Sequence, residues 1–127
     1  MDRFKTKRIL IVDDMRAVRM LVEKCLVKMG FQKENLDNAS NGVEALEKIK
    51  QTPFDLVISD LNMDQMNGIE LVQACRLVED RKDTLFFILT SEIDPQRTAT
   101  LIELGVKKYL VKPLSEETLM ISIQNYL

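Results

Sequence analysis

Phe54 and Leu56-Val57-Ile58, followed by Ser59, form a short, mainly apolar run that ends in the carboxylate of Asp60. Its apolar residues do not alternate with polar ones, so it reads as a strand buried on both faces, as in a parallel sheet. The same pattern recurs on either side. Upstream, Ile9-Leu10-Ile11-Val12 runs into Asp13-Asp14. Downstream, Leu85 to Leu89 runs into Thr90-Ser91, and Tyr109-Leu110-Val111 into Lys112-Pro113. Leu36 to Ala39 is the weakest member, assigned because the rhythm requires a strand there.

Helical stripes fill the intervals. Val18, Leu21, Val22, Cys25, Leu26 and Met29 recur at helical spacing, and Gly30 stops that helix. Asn41 is the predicted N-cap of a second helix with Glu44 at its third position; Ala45, Leu46 and Ile49 form its buried side and Pro53 lies beyond its end. Leu71, Val72, Cys75 and Val78 mark a third. Asp94-Pro95 opens a fourth, which runs to Leu104 before Gly105. Ser115 caps a fifth, with Glu116 and Glu117 where the helix dipole favours acids. Five β–α units use up the 127 residues, so one domain over residues 1–127 is expected. The architecture is a three-layer α/β/α sandwich around a five-stranded parallel sheet with right-handed crossovers.

Composition narrows the chemistry. The chain has no histidine, which excludes Ser-His-Asp and Cys-His nucleophile pairs and histidine-bearing zinc sites. A net charge of −2 argues against nucleic acid as a partner, and Arg3, Lys5, Lys7 and Arg8 read as a solvated entry to the first strand. Cys25 and Cys75 fall on apolar stripes, as buried free thiols do. No apolar run approaches a membrane span and no signal-peptide core is present, so no membrane insertion and a cytoplasmic location are expected.

In doubly wound sheets, sites form at the carboxyl ends of the strands. Here those ends carry Asp13 and Asp14, then Asp60, then Thr90, then Lys112. Taken singly, each has a bland explanation as a cap, a turn hydroxyl or a surface lysine. All five at successive strand ends form a constellation. Three close carboxylates raise one another's pKa unless a cation sits among them. Lys112 can neutralise one charge, and a hard divalent ion such as Mg²⁺ suits the remaining oxygen ligands.

These residues and their neighbours resemble the receiver domain of two-component response regulators, in the stand-alone chemotaxis type. The resemblance runs through Ile11-Val12-Asp13-Asp14, Val57 to Met63, Asn67-Gly68, Ile88-Leu89-Thr90-Ser91-Glu92 and Tyr109-Leu110-Val111-Lys112-Pro113, in order. It implies the flavodoxin-like strand order 2-1-3-4-5 that the fold class is known for. It also implies roles. Asp60 takes a phosphoryl group from the phosphohistidine of a sensor histidine kinase or histidine phosphotransfer protein. Asp14, Asp60 and the Asn62 carbonyl ligate Mg²⁺, for which Mn²⁺ can substitute, and Asp13 acts through water. Lys112 pairs with the phosphoryl oxygens, and its bond to Pro113 is cis. Thr90 moves to the phosphoryl group and Tyr109 rotates inward to fill the space. Asn62 and Glu92 tune the acyl-phosphate lifetime, and Ser91 leaves phosphoryl access open. A protein target binds the surface of the fourth helix, fifth strand and fifth helix. The implied protein is a signalling phosphoacceptor, not an enzyme of the ordinary kind, and is monomeric, with dimerisation on phosphorylation left open.

Some positions depart from the family pattern. Asp64 stands where proline is frequent and is expected to face solvent; Asn67 stands where an acid is frequent; Pro95 opens the fourth helix where motor-binding members tend to carry lysine. Rival readings fit less well. A calcium loop starting at Asp60 would need glycine at Gln65 and glutamate at Leu71. A flavin carrier needs a hydroxyl-rich phosphate loop where Asp13-Asp14 stands, and a haloacid-dehalogenase-type hydrolase needs its nucleophile after the first strand. A receiver unit cut from a longer regulator, or an adaptor acting by docking alone, stays open; Met1 and the full last helix favour a complete stand-alone protein.

Overall fold

In the computed structural model, which describes residues 3–127, five strands form one parallel sheet. They are β1 (Ile9–Val12), β2 (Leu36–Ala39), β3 (Leu56–Asp60), β4 (Phe86–Thr90) and β5 (Lys108–Val111), in the spatial order β2-β1-β3-β4-β5. The helices are α1 (Arg16–Met29), α2 (Gly42–Gln51), α3 (Gly68–Arg76), α4 (Pro95–Glu103) and α5 (Glu116–Tyr126), and a 3₁₀ turn at Lys33–Asn35 leads into β2.

Side chains alternate across the sheet, and both faces are covered, which is why the central strands carry no polar stripe. Ile9, Ile11, Leu56, Ile58, Phe87 and Leu89 pack with Val22, Cys25 and Leu26 of α1 and with Leu119 and Ile123 of α5. Leu10, Val12, Val57, Phe86 and Ile88 pack on the other face with residues of α2, α3 and α4, among them Ile49, Val72 and Leu101. Each fully buried aliphatic side chain contributes about 1.5–3 kcal/mol relative to exposure.

Register fixes the edge where polar residues gather. Val12 pairs with Ser59, Asp60 with Leu89 and Thr90 with Val111, so the strands finish at a common level. Asn41, Asp94 and Ser115 cap α2, α4 and α5 by accepting from Glu44, Gln96 and Thr118 N–H groups. Gly30 ends α1 with φ of 110°, a left-handed conformation that favours glycine.

Some expectations need correction at their edges. Leu21, placed on the buried stripe of α1, is 45% exposed, because Val22 takes the core position and the helix turns Leu21 outward beside Met20. Val78 lies in the turn after α3, which ends at Arg76. Phe54 is buried but precedes β3, and Leu85 precedes β4, although its carbonyl accepts from Val57 N–H. The weak β2 pairs with β1 along its whole length; as an edge strand it is only half-buried, which accounts for its polar Asp37 and Asn38. Cys25 and Cys75 are buried free thiols. Among the described residues, no helix is long and apolar enough to cross a membrane.

Candidate functional site

β1 and β3 are neighbours at the centre of the sheet, so Asp13, just past β1, and Asp60, the last residue of β3, come together. With Asp14 they form a triad in which one carboxylate oxygen from each lies within 4.8 Å of the others. Their environments differ. Asp13 is fully buried, Asp60 is 5% exposed, and Asp14 faces solvent.

Asp13 is already engaged. Its Oδ1 accepts from Met15 N–H at 2.9 Å, helping to start α1, and its Oδ2 accepts from Lys112 Nζ at 3.0 Å. Its carbonyl accepts from Arg19 Nη1 at 2.7 Å. Lys112 also lies 3.3 Å from Asp60 Oδ1. One ammonium thus serves two carboxylates, and Asp14 is left for something else.

Electrostatics record the crowding. Burial, followed by the charge of Asp13, pushes the Asp60 carboxyl above its ordinary value; Lys112 and the Asn62 backbone N–H oppose this without cancelling it. Burial alone would lower the Lys112 pKa, but its hydrogen bond to Asp13 and the charges of Asp60 and Asp13 outweigh that and raise it. Oxygen-only donors with excess negative charge suit a hard divalent cation such as Mg²⁺, and the outward-facing Asp14 gives such an ion access.

The surrounding loops show how the backbone approaches. Gly68 opens α3 directly against the end of β3: a Cβ there would stand 2.7 Å from the Asp60 carbonyl oxygen. Asn67 caps α3 in a reciprocal capping box with Glu70, a pairing the sequence reading did not identify although Asn67 and Glu70 have the required spacing. Asp64 is exposed, as expected. It lines an open cavity of about 310 Å³ with Asp14, Asn62, Met63, Asn67 and Arg97. Arg97 also went unread: its Nη1 donates to Asn62 Oδ1 at 2.8 Å across 35 positions, and no local pattern signals that contact.

Thr90 ends β4 next to the acidic group and is buried, but its hydroxyl donates to the Glu92 carbonyl at 2.7 Å. Ser91 and Glu92 are exposed. On the adjacent β5, Tyr109 packs against the core on the α2–α4 side, and its hydroxyl is buried without a hydrogen-bond partner. Burial pushes that phenol up from its ordinary value. The peptide bond from Lys112 to Pro113 is cis. Every predicted site residue except Tyr109, which lies within β5 opposite Ile88, therefore sits at this edge or in the loops that leave it.

Comparison with known proteins agrees with this arrangement. The response regulator receiver domain profile matches residues 9–124. Chemotaxis protein CheY-3 of Vibrio cholerae serotype O1 is 36% identical over 115 residues, 91% of this chain and 87% of the relative. Chemotaxis protein CheY1 of Helicobacter pylori is 32% identical over 113 residues, 88% of this chain and 90% of the relative. The solved structure of Vibrio cholerae chemotaxis response regulator CheY4 superposes with a TM-score of 0.86 at 36% identity, covering 95% of this chain and 98% of that one. An acidic triad at the carboxyl edge of a 2-1-3-4-5 sheet, a profile match across nearly the whole length and these relatives converge: the chain belongs to the response regulator receiver domain family, in its CheY type.

Proposed function

We infer that this chain, acting as a single receiver unit, accepts a phosphoryl group on Asp60 from the phosphohistidine of a partner kinase or phosphotransfer protein. The observation that carries the reading is the Asp60 carboxylate, nearly buried at the end of the central strand, with one ammonium at 3.3 Å and two further carboxylates beside it. An Asp60 oxygen forms the new O–P bond as the donor's P–N bond breaks, and the imidazole nitrogen keeps the electron pair. The chain has no histidine of its own, so the phosphoryl group comes from another molecule.

Transfer to a carboxylate asks little beyond positioning and charge neutralisation. Lys112, already 3.3 Å from Asp60, can follow the phosphoryl oxygens. Asp14, Asp60 and the Asn62 carbonyl would hold Mg²⁺, or Mn²⁺ in its place, with Asp13 acting through water because both of its oxygens are in use. Bound there, the ion supplies the positive charge that lets an anionic phosphoryl group approach three carboxylates.

The switch reading starts from Thr90. A phosphoryl group adds about −1.5 to −2 charge and strong acceptors, enough to draw the Thr90 hydroxyl from the Glu92 carbonyl. Tyr109 then turns further into the vacated space. The consequence is read on the face of α4, β5 and α5, where Ile102, Val111 and Ile121 are exposed and a protein target can dock. The CheY relatives favour a chemotaxis output. Buried reduced Cys25 and Cys75 suit a cytoplasmic place of action.

The test is incubation with a small phosphodonor and Mg²⁺, followed by intact mass measurement. A phosphate increment that Asp60→Asn abolishes supports the reading. No increment, under conditions that label a control receiver, favours an adaptor that acts by docking alone.

A further inference from the structure

Arg97 is poorly placed for helix stability. It occupies the third position of α4, where the partial positive charge of the helix N-terminus disfavours a cation, and it forms no ion pair among the described residues. Its Nη1 instead donates to Asn62 Oδ1 at 2.8 Å, joining α4 to the loop of residues 61–67. That loop needs restraint. Gln65 and Met66 both adopt left-handed backbone conformations, with φ of 50° and 70°, and neither is glycine. Such conformations persist only where the surroundings hold them.

The Asn67–Glu70 capping box holds the far end of the loop, the bond from Gly68 N–H to the Leu61 carbonyl ties that end to the start, and Leu61 N–H donates to the Leu89 carbonyl, but none of these bonds holds the Asn62 side chain. Arg97 acts at the near end, on the residue two positions after Asp60. It also forms one wall of the cavity shared by Asp14, Asn62 and Asp64. Asn62 thus has its side chain fixed to α4 while its backbone stands beside the phosphoacceptor.

We propose that Arg97 is a positioning residue: its hydrogen bond to Asn62 latches the start of the β3–α3 loop to α4 and holds the Asn62 backbone where cation binding needs it. The proposal rests on the function inferred above, since it assigns the Asn62 carbonyl to the cation. Two effects of removing Arg97 oppose each other. Losing the latch loosens the site and weakens cation binding, whereas losing a positive charge near Asp14 and Asp64 strengthens it. The charge effect is screened at high salt and the latch is not, because the Debye length falls to about 4 Å near 0.5 M.

The experiment compares wild type, Arg97→Met, Asn62→Ala and the double variant at high salt. Hydrogen exchange of the amides of residues 62–67 is measured without divalent cations, and Mg²⁺ affinity by NMR titration. The latch predicts faster exchange and at least threefold weaker Mg²⁺ binding in each single variant, with little further loss in the double, because both remove one interaction. Unchanged exchange overturns the latch whatever the Mg²⁺ result. Faster exchange with unchanged or tighter Mg²⁺ binding overturns the positioning role. Additive losses show that the two side chains act separately and overturn the pairing. If wild type itself binds no Mg²⁺, the parent reading fails and this one with it, an outcome distinct from a wild type that binds while the variants match it.

Discussion

Lys112, which follows β5, reaches across β4 to place its ammonium 3.3 Å from Asp60 Oδ1 at the end of β3. The same nitrogen lies 3.0 Å from the fully buried Asp13. Removing it leaves a buried carboxylate with no cation, the costly half of a broken pair. Lys112→Met is expected to lower stability by about 3 kcal/mol without divalent cations. Millimolar Mg²⁺ should restore part of this, as read by urea denaturation. A variant as stable as wild type without Mg²⁺ would show that the ammonium is not what balances Asp13.

Asp60 carries the opposite sign. Its pKa is raised on folding by burial and by Asp13, so the folded state binds its proton more tightly than the unfolded chain does. The ionised form is therefore a cost, present in full above the folded pKa and lost as pH falls through it. Asp60→Asn should stabilise the Mg²⁺-free protein at neutral pH by about 1–2 kcal/mol. The gain should shrink on acidification towards the ordinary aspartate range. Denaturation curves from pH 7 to pH 4 test both the size and the trend, and a gain that grew on acidification would contradict the assignment.

Asp14 is the exposed member of the triad, so its replacement should be cheap for folding and expensive for metal. Divalent ions that bind only the folded state add about 2.7 kcal/mol at a hundred times Kd. Mg²⁺ is expected to raise Tm in wild type, with the rise reversed by EDTA. Asp14→Asn should keep the metal-free Tm within a few degrees and lose most of that rise. An undiminished rise would remove Asp14 from the ligand set.

Gly68 stands under a different constraint, since its Cα faces backbone that cannot yield. A methyl there would sit 2.7 Å from the Asp60 carbonyl oxygen and 3.0 Å from Leu61 Cα. Gly68→Ala is expected to cost about 2–3 kcal/mol by overpacking. It should also shift the NMR signals of Asp60 and Leu61. Wild-type shifts at both positions would mean that the loop absorbs the methyl elsewhere.

The sheet was legible because each central strand announces its end: an apolar run buried on both faces stops at the residue that must be polar. Asp13, Asp60, Thr90 and Lys112 were readable for the same reason, since topology alone gathers strand ends at one edge. Helical periodicity was less decisive. Leu21 and Val22 are adjacent and equally apolar, and only packing against α5 and the sheet selects Val22. The end of α3 at Arg76 was hidden because Val78 continues the stripe into a turn. Arg97 could not be assigned from sequence at all, because its contact with Asn62 exists only after α4 packs beside the β3–α3 loop.

Tyr109 and Thr90 carry hydroxyls on the neighbouring strands β5 and β4. The Tyr109 hydroxyl is buried without a partner, while the Thr90 hydroxyl holds the Glu92 carbonyl at 2.7 Å. An unsatisfied buried hydroxyl costs about 1–3 kcal/mol, so this group is a burden on the unmodified state. Tyr109→Phe removes the hydroxyl and keeps the ring packed against the core. It should leave the unmodified protein as stable as wild type or more stable by about 1 kcal/mol. The order should change once a phosphoryl mimic occupies Asp60. On the proposed switch, Thr90 then releases the Glu92 carbonyl and leaves it as an acceptor for the Tyr109 hydroxyl, which phenylalanine lacks. Wild type should therefore gain more Tm from the mimic with Mg²⁺ than Tyr109→Phe does, by melting curves taken in parallel. Equal gains would place the Tyr109 hydroxyl outside the switch, and a variant already less stable before the mimic is added would show that the hydroxyl has a partner in the resting state.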